Sequence, residues 1–188
     1  MKPGRASRVS CTYVVCLFFM FEAGCSPSSE PSSRRASVPK PPDQEAWEWN
    51  TVVTRNGRKR AEVEAGHFRK FDRTSTALLD SGVTVSFYNG SGLERVSVLT
   101  ARQAEIQEES GDMVVTGNVA VVAVNGTRLE TDTLRWNRET EMITGNGRMT
   151  LRRPDGEETG EGFEASSDLK WWRMRRVSTR LGGADSLR

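Results

Sequence analysis

From Trp47 onward, apolar residues recur at every second position, with no apolar run at the 3.6-residue spacing of an amphipathic helix. That confines the chain to β structure. Val83, Val85 and Phe87 alternate with Thr84, Ser86 and Tyr88; Val96 and Val98 alternate with Arg95 and Ser97; Met142 and Thr144 precede a turn that leads to Met149 and Leu151. Successive strand side chains point to opposite faces, so these runs read as half-buried strands. The stretch Val119–Val124 (VAVVAV) is apolar throughout, as expected of a strand covered on both faces or forming part of an interface.

The thirteen glycines from Gly57 to Gly162 fall mainly between these runs, where tight turns need positive φ. Asn56-Gly57, Ser91-Gly92, Asn125-Gly126 and Asp155-Gly156 recur at spacings of 35, 34 and 30 residues. A second series interleaves with the first: Asp80-Ser81-Gly82-Val83, Val115-Thr116-Gly117-Asn118-Val119 and Ile143-Thr144-Gly145-Asn146-Gly147. Read as turns at the opposite strand ends, the two series describe about four diverged copies of a long hairpin unit. Stacked antiparallel strands of this kind bury one face against a second sheet, so the expected fold is all-β, an elongated antiparallel jelly-roll or sandwich spanning residues 47–181.

The N-terminus is of another kind. Lys2, Arg5 and Arg8 precede an apolar run of eleven residues, Cys11 to Phe21, and Ala23, Gly24 and Cys25 follow as small residues ending in a cysteine. A run this short does not span a bilayer core, which needs about 20 apolar residues. Residues 1–24 therefore read as a signal peptide or membrane anchor: a lipoprotein leader cleaved before Cys25, whose thiol would carry the lipid, an ordinary secretory leader cleaved near Ala23, or an uncleaved anchor. Residues 25–46 are rich in Ser and Pro and bury almost nothing, which suits a disordered tether. Residues 182–188 read as a flexible tail.

Composition excludes much chemistry. All three cysteines lie at or before Cys25, so the folded part has neither a disulfide framework nor a thiolate metal site nor a cysteine nucleophile. His67 is the only histidine, no Gly-x-Ser-x-Gly elbow occurs, and Glu161 and Glu164 lie among turn glycines without an apolar setting that would raise a carboxyl pKa. Gly156, Gly160 and Gly162 precede a strand rather than a helix and so do not make a phosphate cradle. No catalytic residue, cofactor or metal is expected. Removing Lys2, Arg5, Arg8 and Glu22 with the leader leaves the mature chain formally neutral, which argues against a nucleic-acid partner. The acidic stretch Glu105–Asp112 reads as a solvated turn.

Several strings resemble the LptC family of periplasmic lipopolysaccharide-export proteins: G-V-x-V-x-x-Y (Gly82 to Tyr88), L-T-A-x-x-A (Leu99 to Ala104), G-N-V-x-V (Gly117 to Val121), N-G-x-x-L-x-T-D-x-L-x-W (Asn125 to Trp136) and R-P-D-G-x-x-x-G-x-G-F-x-A (Arg153 to Ala165). The Asn125 to Trp136 block is shared with the wider jelly-roll superfamily of LptA and the N-terminal part of LptD. The N-terminal anchor and the closing glycine-aromatic strand favour LptC.

The resemblance implies an open, V-shaped jelly-roll that holds lipopolysaccharide acyl chains in an apolar groove. It implies partners at both edges: LptF/LptG-like membrane subunits of an ABC transporter upstream, and an LptA-like bridge protein downstream by edge-strand pairing. It also implies a place on the periplasmic side of the inner membrane, held by lipidated Cys25 or by an uncleaved N-terminal segment. Alternatives are an LptA-like bridge unit and a structural or adhesive surface lipoprotein. By alternation, the groove candidates are Val83, Val85, Phe87, Val98, Val121, Leu129, Trp136 and Phe163, within an inward set that adds Val96, Val119, Met149, Leu151 and Leu169. Trp171 and Trp172 should point to opposite faces.

Overall fold

The structure, a computed structural model, describes residues 40–181; the leader, Cys25, most of the tether and residues 182–188 lie outside the described residues. The strands are β1 (Gln44–Arg55), β2 (Arg58–Phe71), β3 (Thr76–Tyr88), β4 (Arg95–Ala101), β5 (Gln103–Gln107), β6 (Met113–Ala123), β7 (Arg128–Asn137), β8 (Met142–Arg153), β9 (Gly156–Ser166) and β10 (Trp172–Leu181). They form one antiparallel sheet in the order β1-β2-β3-β4-β6-β7-β8-β9-β10, and β5 prolongs the line of β4 between β3 and β6. Among the described residues no helix is long and apolar enough to cross a membrane. The first strand opens at Gln44, ahead of the alternation that starts at Trp47.

Asn56-Gly57, Ser91-Gly92, Asn125-Gly126 and Asp155 connect strands as expected. The second glycine series does not. Ser81-Gly82 lies inside β3, Gly117-Asn118 inside β6 and Gly145 to Gly147 inside β8. They are β-bulges, and the true turns at that end are Asp72–Ser75, 108–111, 138–141 and 167–171. A bulge and a turn draw on the same positive-φ residues, so the sequence pattern serves either. Ser81 (φ 62°), Gly82 (φ 91°), Gly117 (φ 80°), Asn118 (φ 51°) and Gly162 (φ 71°) adopt that conformation in mid-strand.

These bulges align. Register shifts fall between Ala65 and His67 of β2, Thr116 and Val119 of β6, Thr131 and Arg135 of β7, Gly145 and Arg148 of β8, and Arg175 and Ser178 of β10. The β4–β5 break at Arg102 lies on the same line, with the Arg102 N–H donating to the Gly117 carbonyl at 2.9 Å. The line is a crease. A bulge bends its strand, and a row of them folds the whole sheet so that its two halves face each other. At Gly66 the crease is tight: a Cβ there would stand 2.7 Å from the Ser81 carbonyl oxygen, so a side chain would force the strands apart.

One core fills the space between the halves. Val83, Val85, Leu99, Val121, Leu129 and Leu151 come from one half, and Leu79, Met113, Val115, Leu134, Ile143 and Ala165 from the other. The halves meet directly where the Phe87 ring packs on Trp136 with centroids 5.5 Å apart. Full burial of each large apolar side chain contributes about 1.5–3 kcal/mol.

The expected phase of β4 is corrected. Ser97 and Leu99 face the core, Val96 is half-buried and packs against it, and Val98 is half-buried. Ser97 tolerates burial because its hydroxyl donates to the Ser167 carbonyl, which satisfies it. Val98 instead pairs with Val122 on the outer face, where Val122 and Val124 are exposed. The all-apolar run Val119–Val124 is therefore a one-sided core strand whose other face carries an uncovered valine patch.

Candidate functional site

An edge strand has a neighbour on one side only, and its inward residues are covered less completely. Trp49, Thr51 and Val53 of β1 are half-buried, whereas Ala61, Val63 and Ala65 beside them on β2 are buried. The sandwich is open beneath β1. A cleft of about 300 Å³ runs there between Trp49, Val53 and Val63 on one wall and Phe68, Ala77, Ile106, Met113 and Trp136 on the other. Trp49 stacks on Phe68 with centroids 4.6 Å apart, which stiffens the inner end.

A second cleft of about 220 Å³ shares Val53, Trp136 and Arg138 with the first and is flanked by Arg55, Arg60 and Glu139. The floor is apolar and the mouth is mainly cationic. Arg60 is held to Glu141 through Nε at 2.7 Å and donates to the Asn89 carbonyl at 3.0 Å, while Arg55 lies 3.7 Å from Glu141. No carboxylate pairs with the Arg138 guanidinium among the described residues. Such a slot suits a chain-shaped apolar ligand with an anionic head, at about 0.8 kcal/mol for each CH₂ removed from water.

The opposite edge differs. At β10 the Met174 side chain occupies the space over Gly160, where a Cβ would stand 2.4 Å from its sulfur, and the nearby clefts are lined by Arg148, Glu157, Glu161 and Arg176. Glu161 and Glu164 pair with Arg176 and Arg173 across the β9–β10 ladder. Of the expected residues, Val83, Val85, Val121, Leu129 and Phe163 are core side chains off the slot, Phe87 braces it from behind through Trp136, and Trp136 itself lines both clefts. Trp171 is exposed, and Trp172 is partly buried with the Arg153 guanidinium 5.2 Å from its ring.

The walls formed by Trp49, Val53, Val63, Phe68, Ile106 and Met113 were not among the expected residues. Their signal is the alternation Trp49-Thr51-Val53 and Ala61-Val63-Ala65, which is weak because threonine and alanine interrupt it. The acidic stretch is structural: the Asp112 carboxylate accepts from the Asn137 amide at 3.1 Å and from the Arg138 backbone N–H at 3.0 Å, which shapes the turn that carries Arg138. Among the described residues no group of three or more His, Cys, Asp or Glu is placed to hold a metal.

His67 ties the edge strand down. Its Nε2 lies 2.8 Å from Glu45 of β1 and its Nδ1 3.0 Å from Asp80 of β3, with Trp47 stacked on the ring at 5.3 Å. Two carboxylates call for a proton on each nitrogen, so Glu45 first, and Asp80 after it, raise the His67 pKa above 6.5 against the opposing effect of desolvation. Arg69 also holds Asp80, at 2.7 Å. A raised folded-state value means that this clasp is complete below the ordinary histidine pKa and is lost as pH rises through the folded one. Hydrogen-exchange protection of the Ala46 to Trp49 amides is expected to be higher at about pH 6 than at about pH 8, and to lose that dependence in His67→Gln. An unchanged pH dependence in the variant would place its origin elsewhere.

Comparison with known proteins points one way. The family described as lipopolysaccharide-assembly, LptC-related, matches residues 14–175. Among solved structures, the fold is similar to that of LptH from Pseudomonas aeruginosa, described as the LptA homologous periplasmic component of the conserved lipopolysaccharide transport device. The TM-score is 0.52 at 12% identity, covering 65% of this chain and 95% of that one, a likeness of fold. No curated protein matches the chain in sequence.

Proposed function

Since this chain belongs to the LptC-related family of lipopolysaccharide-assembly proteins, we propose that it carries lipopolysaccharide acyl chains in the slot beneath β1, passing them from an inner-membrane ABC transporter toward an LptA-like bridge. The observation that carries this reading is the slot itself, an apolar trough with a cationic mouth that opens along one sheet edge. The transfer has no catalytic step and needs no cofactor. It needs only a continuous apolar path.

The two edges supply the ends of that path. Of the seven exposed large hydrophobic residues among the described residues, Trp47 and Val52 lie on β1, Val177 lies on β10 and Trp171 immediately precedes it. Unpaired edge backbone together with apolar side chains is what β-augmentation uses. In this reading β1 meets the periplasmic part of LptF/LptG-like subunits, β10 meets the bridge protein, and Cys25 or the uncleaved leader holds the domain to the periplasmic face of the inner membrane through the tether. Mass spectrometry of the mature chain and of Cys25→Ala distinguishes the two anchors.

A photo-crosslinking residue at Ile106 or Val53 in transporting cells is expected to yield a lipopolysaccharide adduct, and one at outward-facing Arg128 none. Adducts to protein alone from all three positions would sink the carrier reading in favour of a structural lipoprotein. Co-purification with the LptF/LptG-like subunits is expected; association with bridge units only would assign the chain an LptA-like role.

A further inference from the structure

Trp136 is 2% exposed, yet its indole N–H has no hydrogen-bond partner. Only two buried side-chain polar atoms among the described residues share that condition; the other, Arg69 Nε, belongs to a guanidinium already held by Asp80. Buried donors in folded proteins are nearly always paired, because water is lost and nothing replaces it. Phenylalanine would fill the same wall without this penalty, since the Trp136 ring already packs on Phe87. An unpaired donor therefore stands on the one core side chain that lines both clefts. Arg138 lines both as well, so the residue that bears the donor stands beside a cationic one at the junction of the two clefts.

We propose that the Trp136 N–H hydrogen-bonds an acyl-chain oxygen of the bound lipid, an ester or amide carbonyl next to the head group, while Arg138 faces the lipid's phosphate. The inference rests on the carrier reading and adds selectivity to it. A slot of plain hydrocarbon would accept any apolar chain. The donor is unpaired in the empty slot, so a chain that brings a carbonyl to it gains a hydrogen bond that a chain lacking one does not, and the slot prefers acyl-linked, phosphate-bearing lipids in one register, head outward.

The test uses the mature chain and Trp136→Phe, with lipopolysaccharide and with a pair of lysophospholipids of equal chain length, one ester-linked and one alkyl-ether-linked. The variant is expected to be as stable as the wild type or more so. It should bind lipopolysaccharide about fivefold more weakly, the equivalent of about 1 kcal/mol, and lose the wild-type preference for the ester-linked lipid. In ¹⁵N-labelled wild type, the indole resonance absent from the variant is expected to move downfield on loading, a shift that a merely structural tryptophan does not show. Equal lipopolysaccharide binding by both chains with an unmoved indole resonance overturns the proposal and leaves the carrier reading intact. A wild-type chain that binds none of these lipids overturns both. If the variant fails to fold, the wild-type resonance decides alone.

Discussion

Replacing Phe87 with alanine is expected to cost about 3–5 kcal/mol of folding stability, with the thermal midpoint falling by about 10 °C. The ring is 1% exposed and sits near the end of β3, far from the crease, where it touches Trp136 of the facing half. Removing it takes away buried apolar area and an aromatic pair, and leaves a cavity between two halves of the sheet that are pinned at the crease and cannot close evenly. Urea unfolding of the chain measures this. Val122→Ala on the outer face is the control, expected within about 0.5 kcal/mol. A Phe87→Ala loss below about 1 kcal/mol would mean that the two faces do not press on this ring.

The second large effect is on loading. Ile106 lines the slot, is only half-buried, and pairs with Ala77 and Met113 along its wall. Ile106→Asp is expected to leave the fold in place, because the carboxylate keeps contact with water when the slot is empty. With an acyl chain seated, that water is expelled. Desolvating an ionised carboxylate costs several kcal/mol, so lipopolysaccharide binding is expected to fall by about 100-fold or more. Ile106→Leu keeps the apolar wall and should bind within about threefold, since a volume-conserving swap changes little. Equilibrium binding to both variants at a pH where the aspartate is ionised is the measurement. Undiminished binding by Ile106→Asp would move the acyl path away from the β1 slot.

Much of the fold is legible in the residues. The alternation of Val83, Val85 and Phe87 reads directly as a strand with one face in the core, and Leu129, Met149 and Leu151 follow the same rule. The alternation misleads at β4, where two valines flank a serine. Hydrophobicity alone puts Val96 and Val98 inside, but the Ser97–Ser167 hydrogen bond links residues far apart in the chain, and no local pattern contains it. The slot was legible only in part. Trp136 stands out as a large residue in a specific motif, whereas Val53, Phe68 and Ile106 become its neighbours only once the sheet folds over.

The amino-acid sequence by itself determines that the chain from Trp47 on is antiparallel β, where the hairpins at one end of the sheet turn, and that this part has no thiol to staple or react. Those properties follow from period, from positive-φ residues and from composition, which are local. Whether Gly82, Gly117 and Gly145 end strands or bend them depends on what each strand pairs with, and that is decided across the sheet. Aligned as bulges they make the crease, and the crease creates an interior with one open edge. The slot, its cationic mouth and the unpaired indole N–H of Trp136 are consequences of that fold-over, because they join residues whose only connection is the closing of two faces of one sheet.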